Sequence, residues 1–214
     1  MNKLPLILIG GGGHCRSCID VINLEGKYSI EGILDTKETP GQQVEGYKVL
    51  GTDELIEKLV KKDYHFLITI GQIKSAGLRV KIFERLQKQK AKLATVISPK
   101  AHISTNVTIG AGTIVLHGAI VNAGAVVGQN NIINSLSLIE HDAVIGNHTH
   151  ISTGALINGG CSIGDHTFIG SGSVIANNIL VGDKVVIGAG SLVLNDIKEP
   201  GVYAGSLAKK LKNE

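Results

Sequence analysis

Hydrophobic side chains recur at every sixth position over almost half of the chain. The series runs Ile97, Ile103, Ile109, Val115, Val121, Val127, Ile133, Ile139, Ile145, Ile151, Ile157, Ile163, Ile169, Ile175, Val181, Ile187 and Val193. All seventeen are β-branched, and the register never slips. A fixed short period of this kind predicts a β-helix, with one short flat strand and one corner per hexapeptide. Three hexapeptides make a triangular coil, so a second period of eighteen is expected. Ile109, Val127, Ile145, Ile163 and Val181 show it, each being followed by a glycine: Gly110, Gly128, Gly146, Gly164 and Gly182. One corner of every coil is therefore expected to need a residue with little steric restriction. The seventeen side chains are expected to point inward and stack as a dry core.

The first part of the chain is patterned differently. Leu4 to Ile9 is a short apolar run that ends in Gly10-Gly11-Gly12-Gly13-His14, and a helical pattern with Cys18, Ile19 and Ile22 on one face follows. This reads as strand, glycine turn, helix. Tyr28 to Leu34 predicts a second strand ending at Asp35, and Tyr47 to Leu50 a short one. Thr52 caps a helix with Leu55, Ile56, Leu59 and Val60 on its apolar side. His65 to Ile70 predicts a third main strand closed by Gly71, and Ser75 to Lys90 a basic amphipathic helix with Leu78, Ile82, Phe83 and Leu86 inward. Strands alternating with helices imply a small parallel α/β sheet. The boundary falls between Ala94 and Pro99, giving an α/β domain over residues 1–94 and a β-helix domain over 95–214. After Val193 the repeat stops, and Asp196 to Glu214 reads as a polar tail.

Composition narrows the possibilities. In 214 residues, 43% are hydrophobic and 18% charged, which suits a soluble protein of one large or two small domains. Aromatic residues are 3% and Trp is absent, so the core must be aliphatic. The formal charge is +3. Lys and Arg gather in Lys58 to Lys62, Lys74 to Lys92 and Lys209 to Lys212. The first two clusters read as solvated helix faces rather than a nucleic-acid surface. The N-terminal apolar run is too short for a signal peptide, and no stretch reaches the length of a membrane span. Three cysteines, an odd number, suggest reduced thiols and a cytoplasmic location. Cys15-Arg16-Ser17-Cys18 has no second pair to complete a zinc site, so both thiols are expected to pack, as is Cys161.

Two places carry chemistry. In a parallel sheet, ligands bind at the carboxyl ends of the strands, where Gly10 to Gly13, Asp35 and Gly71 all fall. Glycines let a backbone approach a phosphate, and the helix that follows offers free amides. The alternative is a tight turn that holds nothing. The second place is in the repeat, where four of the eight histidines lie between His141 and His166. His141 is two residues past an inward Ile, hence outside, near a corner. Asp142 follows it and is placed to fix its tautomer, as a carboxylate does in a triad. Eighteen residues on stands Gly159, which leaves space for a ligand over His141 and offers an amide. The alternative is a set of surface histidines on a solvated face.

The chain resembles the PglD and NeuD group of sugar acetyltransferases, hexapeptide-repeat acyltransferases with an N-terminal Rossmann-like domain and a C-terminal left-handed parallel β-helix. Gly10-Gly11-Gly12-Gly13-His14, Ile139-Glu140-His141-Asp142 and His148-Thr149-His150-Ile151-Ser152-Thr153-Gly154-Ala155 carry the resemblance, which spans essentially the whole chain. The hand of the helix comes from the resemblance; the usual rule for parallel crossovers would give the other one. The resemblance implies an acetyl-CoA-dependent N-acetyltransferase acting on a nucleotide-linked amino sugar, such as a UDP-4-amino-4,6-dideoxy sugar, in bacterial surface-glycan or glycoprotein biosynthesis. It makes His141 the general base and Asp142 its carboxylate. It gives His150 and the Gly159 amide to the acetyl group of acetyl-CoA, and Ser171 and Ala189 to further coenzyme contacts. Gly12, Gly13, His14, Asp35, Thr36 and Gly71 match positions that hold the nucleotide sugar. A homotrimer with the coenzyme between neighbouring β-helices is implied, with no metal.

Three departures stand out. Thr36 replaces a second acidic residue, Gln72 stands where Asn is common, and Leu207-Ala208-Lys209 replaces Pro-Ala-Lys, leaving Lys209 and Lys210 to supply charge near the coenzyme phosphates. An O-acetyltransferase of sialic acid or a related sugar shares the fold, and a non-catalytic β-helix that only binds or scaffolds is the alternative from another class. The His141-Asp142 pair argues against the last.

Overall fold

The computed structural model describes residues 3–36, 40–206 and 209–210. Its first part is a six-stranded sheet. Strand β1 (Leu4–Ile9) lies between β2 (Tyr28–Leu34) and β5 (His65–Ile68), with β4 (Tyr47–Gly51) beyond β2 and β6 (Lys92–Leu93) beyond β5. All of these pairs are parallel. A short β3 (Gln43–Val44) adds an antiparallel edge on β4. Helix α1 (Gly13–Glu25) joins β1 to β2, α2 (Ile56–Val60) precedes β5, and α3 (Gly77–Lys88) follows it. From β1 the chain first builds outward through β2 to β4 and then crosses back to β5 on the other side of β1, which makes the carboxyl ends of β1 and β5 the switch point of the sheet.

Within α3 the sequence pattern and the structure differ by one position. Leu78 is 57% exposed, whereas Arg79 is buried with Ile82, Phe83 and Leu86. Positions 79, 82, 83 and 86 have the i, i+3, i+4, i+7 spacing of one helix face, and Leu78 falls just outside it.

Residues from Val96 to Val193 form a triangular β-helix of two- and three-residue strands. Three parallel sheets result, each rung eighteen residues from the next. From Val115 onward every predicted inward side chain is buried in one continuous cluster. Ile97, Ile103 and Ile109, in the first coil, are only partly buried because no coil precedes them.

The corner glycines are explained differently from what the sequence suggested. Left-handed backbone occurs three residues after each inward position from Ile109 to Ile187, at Gly112, Gly118, Gly124, Asn130, Leu136, Asp142, His148 and onward to Gly190. Gly110, Gly128, Gly146 and Gly164 have ordinary φ. Their constraint is closeness: a Cβ on Gly128 would fall 2.7 Å from the Gly146 carbonyl oxygen. The last segment also differs from a pendant tail. Gly201–Ala204 adds a parallel strand beside Val185–Ile187, and Ile197 and Tyr203 are buried against the end of the core, which would otherwise face water. Leu207 and Ala208 lie outside the described residues.

The α/β domain sits on one outer side of the prism, the side built by Val96–Ile97, Ile114–Val115, Ile132–Ile133, His150–Ile151 and Phe168–Ile169. Cys15, Cys18, Ile19 and Ile22 of α1 share a buried cluster with Val96, Ile114, Leu116 and Ile132. Polar contacts frame this apolar seat. Glu25 Oε1 accepts from the Ile97 amide at 3.1 Å, and His117 Nε2–H donates to Asp20 Oδ2 at 2.7 Å. Among the described residues, no helix is long and apolar enough to cross a membrane.

Candidate functional site

Gly10 has φ +106°, a conformation that requires glycine, and it turns the chain out of β1 into α1. The Gly11 amide donates to Asp35 Oδ2 at 2.5 Å, which ties the glycine turn to the end of β2. Gly12 and Gly13 are exposed, with ordinary φ and no atom near a built Cβ. Nothing within the chain demands glycine there; what the two positions leave is open space before the first turn of α1. That turn carries no acidic residue and no side-chain cap, so its amides, apart from the Cys15 N–H that donates to the Gly12 carbonyl, are available to an anion. Gly71 lies against His14, and Thr36 is exposed beside Asp35. The structure thus brings Gly12, Gly13, His14, Asp35, Thr36 and Gly71 to one end of the sheet.

That end faces the β-helix across a polar layer. His14 is held down at about 3 by burial and by the charge of Arg79. Arg79 is fully buried, and its guanidinium donates to the carbonyls of Ile68 and Ile70 and to the carbonyl and amide oxygens of Asn130. Among the described residues it has no carboxylate partner, and burial lowers it to about 10. Gln72 donates from Nε2 to the carbonyls of His148 (2.9 Å) and Thr167 (3.3 Å). His150 projects outward from the prism, as its spacing predicts, but it is buried beneath the α/β domain. Burial holds its pKa at about 4. Cys15 and Cys18 are buried free thiols, pushed up to about 11 in the first case and above the ordinary range in the second, which suits packing and not nucleophilic work.

His141 is in a different environment. Its side chain and that of Asp142 are exposed, at the corner after Ile139. Asp142 takes left-handed backbone, φ 59°, which a short polar side chain tolerates. That turn sets Oδ2 2.9 Å from His141 Nδ1. A carboxylate accepts, so Nδ1 carries the proton and Nε2 is the bare nitrogen. The hydrogen bond to Asp142, followed by its charge, raises the His141 pKa. Glu140 adds a contact the sequence reading missed: its Oε2 accepts from the His141 amide at 3.2 Å and from Asn122 Nδ2 at 2.9 Å.

The space expected over His141 is filled by the imidazole itself. A Cβ on Gly159 would fall 2.6 Å from Nε2 and 2.7 Å from Cε1. Glycine is needed there so that the ring can lie against the next coil. The Gly159 amide donates to no group among the described residues. Ser171 and Ala189 are exposed at another corner, after the strands Phe168–Ile169 and Val185–Ile187, and Ser171 Oγ lies 2.9 Å from Ser152 Oγ. His141 therefore occupies the corner opposite the side that carries the α/β domain. One chain does not bring it near His150, Ser171, Ala189 or the glycine turn.

Residues 5–86 match the model of the PglD N-terminal domain, and residues 160–195 match that of the bacterial transferase hexapeptide (six repeats). The acetyltransferase domain of PglB from Neisseria gonorrhoeae FA1090 is 31% identical, with a TM-score of 0.91 over 98% of this chain and 100% of that one. The chain belongs to the PglD/NeuD-type sugar acetyltransferase family, whose β-helices are left-handed. Two more proteins are similar to this chain. PerB from Caulobacter crescentus, in complex with CoA and GDP-perosamine, is 27% identical, with a TM-score of 0.90 over 97% of each chain. The UDP-N-acetylbacillosamine N-acetyltransferase of Bacillus subtilis (strain 168) is 31% identical over 113 residues, which span 51% of this chain and 50% of that relative.

Proposed function

We propose that the protein transfers an acetyl group from acetyl-CoA to the amine of a nucleotide-linked amino sugar, with His141 as general base. The observation that carries this is the His141–Asp142–Gly159 arrangement: an exposed imidazole with a bare Nε2, raised in basicity by a carboxylate, against a coil with an unused amide. The neutral amine attacks the thioester carbonyl, and a new C–N bond forms. His141 Nε2 takes the proton the nitrogen sheds, which is worth roughly 100- to 10,000-fold. The C–S bond then breaks, and the His141 imidazolium gives its proton to the leaving sulfur, so that the coenzyme departs as its thiol and the base is regenerated. The Gly159 amide donates to the oxyanion, a role worth about 3–4 kcal/mol. No enzyme nucleophile enters, in keeping with three buried cysteines.

Gly12, Gly13, His14, Asp35, Thr36 and Gly71 hold the nucleotide sugar, its diphosphate on the free amides of α1. Ser171 and Ala189 contact the coenzyme. Because His141 is remote from both sets within one chain, the complete site takes His141 from a second chain, and a cyclic homotrimer supplies it three times. The glycan-building setting and a cytoplasmic location follow from such a substrate.

The test is release of free thiol from acetyl-CoA against a panel of UDP-, dTDP-, GDP- and CMP-linked amino sugars. The reading expects release with one or a few of these and none with the matching hydroxyl sugars. Release that follows the hydroxyl sugars instead would overturn N-acetylation.

A further inference from the structure

We propose that Gln72 is a positioning residue for the transfer: its main-chain carbonyl holds His150 as the neutral tautomer protonated on Nδ1, so that Nε2 stays an acceptor. Its catalytic consequence rests on the proposed transfer reaction; its geometry does not.

Two contacts, from different domains, require this tautomer. On one side, His150 Nδ1 lies 2.6 Å from the Gln72 carbonyl oxygen, which only accepts, so Nδ1 carries the hydrogen. On the other, Asn134 Oδ1 accepts from the Ser135 amide at 2.8 Å, which turns Nδ2 toward His150 at 3.1 Å. An amide nitrogen only donates, so Nε2 holds a lone pair. The carbonyl that sets the tautomer is itself pinned. Gln72 is 2% exposed, and its side chain reaches carbonyls of two successive coils, at His148 and Thr167. Both partners are carbonyl oxygens, which fixes which end of the amide faces them. From behind, Arg79 binds the carbonyls of Ile68 and Ile70 and so braces the approach to Gln72.

The surroundings oppose a second proton on the ring. The titratable and charged groups facing it are His14 and Arg79 of the α/β domain; Asn134 and the Phe168 ring, edge-to-face with centroids 5.1 Å apart, complete its shell from the β-helix. None carries negative charge. His150 therefore offers an acyl oxygen no hydrogen from Nε2, and the donor for that oxygen comes from elsewhere. The side chain at position 72 also matters by length. Asparagine, one methylene shorter, does not span to both coils, so the departure seen in the sequence becomes a specific anchor here.

The test uses full-length protein labelled with 15N-histidine and long-range proton–nitrogen correlation, with no substrate present. Loss of one signal set in His150→Gln assigns the residue. The wild type is expected to show Nδ1–H and bare Nε2, unchanged from pH 5.5 to 8. In Gln72→Ala and in Gln72→Asn, with cooperative melting retained, His150 is expected to exchange between tautomers and to titrate nearer its ordinary range. Turnover in both variants falls, by up to about 100-fold, as expected for a misplaced group, while the nucleotide-sugar KM changes little. A wild-type His150 protonated on Nε2, or titrating like a free histidine, overturns the proposal. So does a Gln72 variant with an unaltered tautomer and wild-type turnover. A protein inactive on every sugar leaves the resonance result standing, which separates this inference from the proposed reaction.

Discussion

The three active-region histidines differ in what surrounds them, and that decides what each can do. His141 is exposed with a carboxylate at Nδ1, His150 is buried beneath a domain, and the His14 pKa is lowered by burial and then by the charge of Arg79. Of the three, only His141 combines an exposed side chain with a raised pKa. A base works when deprotonated, so kcat/KM falls as pH drops through that raised pKa. Asp142→Asn removes the charge that favours imidazolium, so the pKa falls toward about 6.5. The acid limb of the profile is then expected at lower pH, with a lower plateau rate from a weaker base. A limb that stays in place or moves upward contradicts the role of Asp142. The sequence showed this pair through adjacency and through the six-residue register, which put His141 outside. It did not show what Glu140, Gln72 and Arg79 reach across the fold: Asn122, the carbonyls of His148 and Thr167, and Asn130 respectively. Arg79 has one local signal, its i−3 spacing from Ile82, but Leu78 beside it is the apolar candidate for the inward face.

At the level of the coil, the repeat was legible because a β-helix stacks each position on its equivalent eighteen residues later. The inward column, the buried Cys161 and the strand positions all follow from that. The two kinds of glycine were not legible, because the spacing of a glycine does not show whether its corner needs left-handed backbone or close packing against the next coil. They separate on stability. Gly128→Ala drives a Cβ into the Gly146 carbonyl and is expected to cost about 1–3 kcal/mol by overpacking, with further loss if the coils part. Gly154→Ala meets no atom and carries only the left-handed backbone cost, about 1–2 kcal/mol. Thermal melting of the pair checks the order. A Gly128→Ala protein at least as stable as Gly154→Ala would show that the coils yield easily.

For the whole molecule, the seating of the α/β domain could not be read from sequence, since its apolar seat uses outward residues that fall outside the six-residue series: Val96, Ile114 and Ile132. That seating leaves His141 on the far corner and makes the proposed site a shared one. Co-expressed His141→Ala and Gly13→Val chains, each inactive alone, are then expected to recover part of the wild-type rate in mixed assemblies. No recovery would place the whole site within one chain. The most direct measurement is turnover of His141→Ala on the sugar that supports thiol release, read beside its acetyl-CoA affinity. A loss of roughly 100-fold or more in kcat is expected, with coenzyme binding preserved. Near-normal turnover in that variant would contradict His141 as the general base.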